Sequence, residues 1–240
     1  MSTADALQRQ TERQAGWLLL AFVVAVQIPF ARLTAIFDYP DILRRPANEV
    51  LHAFNAGGDG LVLTWYAYAV SVLLFAAAVL RIGRSASGRG TLTAIGLASA
   101  LLQGIALARW TFAVPWLARQ HAVADPALQA AIEMQFSLLN LYLGVGLGEH
   151  LGQLLMVLWT LGLRQLQPPG RGLLKAMPLG AAALLGIGLV EQVATALGRD
   201  GSSLAPLSTA GFLLWSVWLL ALGVQLARGR MHLWAEKNSA

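Results

Sequence analysis

Arg32, Arg109, Glu149 and Glu191 fall inside stretches so apolar that their charge demands an explanation. Counted from the proposed cytoplasmic end of its helix, each lies about 15 to 18 residues along, or roughly 22 to 27 Å at helical rise. Isolated ionised groups at that depth are costly, whereas two arginines and two glutamates facing a shared interior compensate each other. A glutamate whose ionised form is disfavoured there can exchange a proton with the other glutamate or with His150, while Arg109 balances the charge or binds an anionic headgroup. His150 follows Glu149 about 100 degrees around an α-helix, and Gln153 lies one turn from Glu149 on the same face. Gln27, Gln103, Asn140 and Gln192 add hydrogen-bonding groups. The same residues also read as a structural network that locks helices together, and their types alone leave both readings open.

A second set of chemical groups lies in FDYPDILRRPANEVLHAFNAGGDG, Phe37 to Gly60. Pro40 and Pro46 limit helix continuity, and Ala47 to Phe54 predicts a short helix with Val50, Leu51 and Phe54 on one side. We expect an extracytoplasmic interfacial or re-entrant helix, with Arg44 and Arg45 on lipid phosphates and Phe37 and Tyr39 anchored at the membrane surface. The GGDG that follows permits a sharp return into the membrane. Asp38, Asp41, His52 and Asp59 are the polar contacts such a segment would offer as a lid, and an ordinary connector fits the same residues. Asp38 and Asp41 are close enough to share a cation, but their spacing assembles no full ligand set, so no metal is assigned.

LGVGLGEHLGQ repeats Gly144, Gly148 and Gly152 every four residues. This is a small-residue ridge for close helix packing and not a dinucleotide fingerprint, because no strand precedes it. Glu149 and His150 fail the HExxH zinc pattern. With zero Cys, thiolate metal sites, disulfides and cysteine nucleophiles are excluded. A haem on His150 and a loop histidine is the one cofactor arrangement with ligands to hand, nothing in the pattern demonstrates it, and no cofactor is predicted. The hydroxyls of Ser71, Thr111, Ser137, Thr195, Ser208, Thr209 and Ser216 form no recognisable nucleophile arrangement.

The elements that must position these groups follow from composition. Of 240 residues 57% are hydrophobic and 12% charged, with mean hydropathy +0.60, whereas soluble chains are roughly a quarter charged. Soluble enzymes, disordered chains and single-anchor proteins are thereby excluded. Six apolar spans are predicted, at about Trp17–Ile36, Leu61–Leu80, Leu92–Trp116, Met134–Leu163, Ala176–Leu197 and Leu207–Leu226. The predicted fold is all-α: a polytopic membrane helical bundle of six transmembrane helices, one integral membrane domain over 1–240, with the connector 37–60 carrying its short helix.

Basic residues set the threading. Arg9, Arg13, Arg81, Arg84, Arg89, Arg164, Arg171, Lys175, Arg228, Arg230 and Lys237 gather at one set of span ends. Arg32, Arg44, Arg45, Arg119 and Arg199 gather at the other, among seven acidic residues. Both termini are therefore expected in the cytoplasm, and the natural setting is a bacterial inner membrane. The first apolar run continues through Gln27 to Ala31 without a small-x-small site, which favours a retained span over a cleaved signal. Trp17, Trp65, Tyr66, Trp110, Trp116, Trp159 and Trp234 lie near span ends and read as an interfacial belt. The tail RGRMHLWAEKNSA suits an anionic lipid surface through Arg228, Arg230 and Trp234 and is too short for a nucleic-acid module.

At FDYPDILRRPANEVLHAFNAGG, followed by LVLTWYAYA, the chain resembles uncharacterised bacterial multi-pass membrane proteins assigned to a domain-of-unknown-function family. The resemblance rests on about Phe37 to Ala69 and implies membrane location and helical architecture, with no catalytic residues. The leading class is a small membrane transporter or binding protein for a lipophilic or anionic compound, using the Arg/Glu cluster. A membrane enzyme on a lipid-like substrate, with Glu149 or His150 as acid-base groups and Asp38 or Asp41 near the interface, is the runner-up, and a structural or sensory subunit is third. The expected partners are membrane lipid and a small-molecule or lipid-like ligand. The Gly144 to Gly152 ridge is open to packing within one chain, between copies or against a partner subunit, and nucleic acid is not expected.

Overall fold

The computed structural model describes residues 3–84, 90–167 and 172–233. All regular structure among them is helical: α1 (Thr3–Phe37), a 3-10 turn (Asp41–Arg44), α2 (Ala47–Arg84), α3 (Gly90–Phe112), α4 (Val114–Val123), α5 (Pro126–Leu139), a π-helical segment (Asn140–Gly152), α6 (Gln153–Gln165), α7 (Leu173–Ala196), a 3-10 turn (Ser202–Leu204) and α8 (Ala205–Ala227). Six helical stretches are long and apolar enough to cross a membrane: Asp5–Phe37, Ala47–Arg84, Gly90–Val123, Pro126–Gln165, Leu173–Ala196 and Ser202–Ala227. The protein is a multi-pass, all-helical membrane protein. Arg89, Arg171, Trp234 and Lys237 lie outside the described residues.

Local chemistry explains where the helices begin and bend. The polar start of α1 is rich in Ala, Leu, Gln, Arg and Glu, all good helix formers, so the helix begins well before its apolar run. The Asp125 carboxylate accepts the amides of Ala127 and Leu128 at 3.0 Å each, and Pro126 occupies the first helical position of α5. The short helix predicted at Ala47 is longer than its apolar pattern suggests. It runs to Gly58, whose φ of 57° and ψ of −157° leave helical space at little steric cost to glycine, and helix then resumes to Arg84.

The chain divides into two compact units, 1–23, 73–100 and 153–240 on one hand, 24–72 and 101–152 on the other. In the first, Phe75 packs against Phe22, Trp159 and Trp215 at ring-centroid distances of 5.2, 5.0 and 5.6 Å. The Trp215 indole donates to the Thr160 hydroxyl at 2.8 Å, so this buried ring is polar-satisfied as well as packed. Gly16 and Gly223 let α1 and α8 meet backbone to backbone: a Cβ on Gly16 would lie 2.7 Å from the Gly223 carbonyl oxygen. Glu12 is buried and accepts the Leu233 amide at 3.1 Å and faces His232 Nδ1 at 2.7 Å, while Arg13 donates to the Ala227 carbonyl. The start of the basic tail thus docks on α1 through Glu12, where the sequence suggested lipid contact alone.

The second unit has an aromatic core. Trp65 of α2 stacks on Trp110 of α3 at 4.7 Å and 10°, Phe54 stacks on Trp110 at 5.7 Å, and Phe37 stands edge-on to all three. Such pairs add roughly 0.5–1.5 kcal/mol beyond their area burial. Two expectations are corrected here. Trp65, Trp110 and, in the first unit, Trp159 are fully buried packing residues, while Trp17, Tyr66 and Trp116 stay exposed as belt residues would. Phe37 is buried too, so it does not anchor at a surface. A ring near a span end is drawn inward when neighbouring helices supply other rings, a contact that hydropathy does not report.

Candidate functional site

Arg109 is the buried cation of the second unit, 6% exposed near the end of α3. It sits there because α3 is apolar on all sides and the facing segment is stripped to glycine. A Cβ on Gly144 would overlap the Arg109 guanidinium, one on Gly148 would lie 2.6 Å from Ala106 Cβ, and one on Gly152 would lie 2.9 Å from Gln103 Cγ. Gly144, Gly148 and Gly152 therefore form one ridge against the Gln103, Ala106 and Arg109 face of α3, within this chain.

That ridge is π-helical and not α-helical, a correction to the turn-by-turn geometry read from sequence. Cβ atoms on Gly146, Gly148 and Gly152 would face the carbonyls of Leu141, Leu143 and Leu147, each five residues back, as an i→i+5 ladder requires. Gln153 lies past the π segment, and its amide donates to the Leu185 carbonyl at 3.0 Å in the first unit. It tethers α6 to α7 and does not face Glu149 as the α-helical count implied.

The Arg109 guanidinium is held by neutral oxygens. One Nη donates to the Ala106 carbonyl of its own helix, the other to Asn140 Oδ1 at 3.1 Å, and its Cζ stands 5.1 Å from the Trp110 ring centroid. Its Nε is buried without a hydrogen-bond partner among the described residues. No described carboxylate lies within ion-pair distance of it. Glu149, half-buried on the π segment, acts on Arg109 and on Tyr39 through space. His150 beside it is also half-buried, with an enclosed Nδ1 that has no partner among the described residues.

Tyr39 completes the cluster from the connector. Its ring lies edge-on to Trp65 at 5.2 Å, and its phenol hydrogen-bonds the Tyr68 phenol of α2. Part of the residue is accessible, but the phenol end is enclosed, so Tyr39 is not the surface anchor expected. Burial pushes that phenol up to about 12, Glu149 adds in the same direction, and Arg109, the Tyr68 hydrogen bond and Arg44 oppose. Of the four tyrosines, Tyr39 should then titrate late in an alkaline absorbance titration, and Tyr39→Phe should remove the component near pH 12. The folded state holds this proton more tightly than the unfolded one. Its stabilising contribution is complete below about pH 10 and is lost as pH rises through about 12.

The other sequence candidates fall elsewhere. Arg32 is exposed, beside Gly60 at the start of the second helical part of α2, and does not join the buried charges. A long arginine stem readily carries its head away from an apolar face. Glu191 is buried in the first unit, with Gly201 packed on its backbone. The exposed Asp38, at φ 53°, pairs with Arg45, a residue expected on lipid phosphate, and Arg44 donates to the Pro40 carbonyl at 3.4 Å. Asp41, His52 and Asp59 are exposed, and no group of three or more His, Asp or Glu that could hold a metal occurs among the described residues. His121 of α4 pairs with Glu133 of α5 at 2.9 Å.

The residues missed as site candidates were Tyr39, Tyr68 and Trp65. Trp65 and Tyr68 are three apart in WYAY, one helical face, and that spacing was the available signal.

Comparison with protein-family models matches residues 14–223 to a domain of unknown function, DUF4386. Comparisons with curated proteins and with solved structures each find no match. Because the matched stretch runs from within α1 to within α8, far more than half of the sequence, the chain belongs to the DUF4386 family.

Proposed function

We propose that this protein binds an amphiphilic compound carrying a single negative charge and moves it across its membrane, with Arg109 receiving the anionic head. The observation that supports this reading is a guanidinium 6% exposed that, among the described residues, is held by neutral oxygens, has no hydrogen-bond partner at Nε and has no carboxylate at ion-pair distance. A buried cation without a close counter-charge is expensive in apolar surroundings, and an anion bonding Nε would relieve that cost. A single buried arginine favours a singly charged head, such as a carboxylate, sulfonate or phosphodiester, over a doubly charged one. Either a membrane lipid or a free amphiphile would supply it.

The setting proposed is a bacterial inner membrane with both termini in the cytoplasm, supported by the basic residues gathered at one set of span ends. Proteoliposome flux tests the transport half. Decanesulfonate, ionised at all working pH values, should equilibrate faster across vesicles that contain the protein than across protein-free vesicles. Equal rates would reject transport.

A further inference from the structure

Resting on that reading of Arg109, we propose that the connector between α1 and α2 is the gate of the anion site, with Tyr39 as its plug. The Arg109 Nε is enclosed, so an anion reaches it only after some element moves aside. The connector and the arginine meet on one pair of stacked rings. Tyr39 lies edge-on to Trp65 at 5.2 Å and to Phe30 at 5.7 Å, Trp65 stacks on Trp110 at 4.7 Å, and the Arg109 Cζ stands 5.1 Å from the Trp110 centroid. All of these residues belong to the same compact unit.

The elements around the site differ in what holds them. α3 and the π segment interlock along the Gly144, Gly148 and Gly152 ridge, and parting them would separate whole helices. The connector is a short segment whose backbone hydrogen bonds run mainly within itself, from Ile42 to Asp38, Leu43 to Pro40 and Arg45 to Ile42. Its Asp38–Arg45 ion pair is half-exposed and joins the connector to itself, and such pairs contribute little. Asp38, where the chain leaves α1, has a φ of 53°, a left-handed conformation that costs a non-glycine residue and that a swing of the connector would relieve. Segments with few ties of this kind are the ones that open first. The side chains that keep this one seated are the buried Ile42 and Tyr39, the latter through its ring contacts and its phenol bond to Tyr68. Phe37 stays behind on α1, packed on Trp110 at 5.7 Å.

The chain has no cysteine, so one introduced thiol reports access without interference. Asn140→Cys places it where the Asn140 Oδ1 meets the guanidinium. The full chain in lipid nanodiscs is treated with 2-sulfonatoethyl methanethiosulfonate, an anion, or with neutral methyl methanethiosulfonate, and labelling is followed by intact mass. Adding Tyr39→Ala should speed labelling by either reagent at least about tenfold, because opening no longer unburies an aromatic ring. Tyr39→Phe, which keeps the ring and loses the phenol bond, should speed it less. Ser216→Cys, buried in the first unit, is the control for general loosening and should label at the same slow rate with and without Tyr39→Ala. Labelling of Asn140→Cys that Tyr39→Ala leaves unchanged, or a rise matched at Ser216→Cys, would overturn the gate. Reagent charge separates the underlying reading, since the ratio of anionic to neutral rates cancels the reactivity of the thiol. On the Tyr39→Ala background, Arg109→Gln should lower that ratio. An unchanged ratio would overturn the Arg109 reading, whatever the gate does.

Discussion

Arg109→Gln should weaken decanesulfonate binding by at least about tenfold, and Arg109→Lys should recover only part of it. A hydrogen bond to a charged group contributes about 1.5–3 kcal/mol, which corresponds to roughly 10- to 150-fold in affinity. Glutamine keeps a donor for Asn140 and removes both the charge and the free Nε. Lysine keeps the charge but lacks the planar fork that reaches the Ala106 carbonyl, Asn140 and an incoming anion together. Calorimetric affinities for the three proteins check the order. Thermal unfolding of Arg109→Gln should change little, because the desolvation cost of the buried charge is removed together with its through-space attraction to Glu149. A protein destabilised in proportion to its lost affinity would instead mark Arg109 as a packing residue.

The second large effect concerns the fold. Gly16→Leu should prevent the protein from accumulating, and Gly16→Ala should lower its thermal midpoint by several degrees. A Cβ at Gly16 would come within 2.7 Å of the Gly223 carbonyl oxygen and still closer to the Ala227 amide, both backbone atoms that no side-chain rotation can move aside. The helices must separate, and overpacking of this kind costs about 1–3 kcal/mol for a single methyl and more for leucine. At roughly 2–4 °C per kcal/mol for a chain of this length, the alanine variant should be measurably less stable in a fluorescence melt. Gly90, with open space around its Cβ position, is the control: Gly90→Ala should melt with the unmodified protein. An unchanged midpoint for Gly16→Ala would mean that α1 and α8 do not meet at these two glycines.

How much of this was legible in the sequence depends on which face of a helix carries the information. The six spans were legible because a long apolar run reports membrane insertion whatever its packing, and Arg109 stood out for the same reason. Which side of a span faces inward was not legible for α1, where apolar residues surround Arg32 on every face, so depth placed it with Arg109 and the side chain lies elsewhere. Glu191, which depth also grouped with Arg109, belongs to the other compact unit.

The glycine ridge was readable as a spacing, and its partner on α3 was not. Its π-helical form depends on carbonyl partners five residues back, which no hydrophobic period encodes. Tyr39 was hidden by its neighbours: between an aspartate and a proline, with two arginines five and six residues on, its surroundings in the sequence say exposed loop. Its aromatic contacts with Trp65 and Tyr68 are made across the fold.

Native mass spectrometry of the protein released directly from its own membranes tests most directly whether Arg109 receives an anionic amphiphile. The account predicts a non-covalent adduct whose mass belongs to a singly charged amphiphile, present on the unmodified protein and absent from Arg109→Gln. No adduct on either protein, or the same adduct on both, would contradict it.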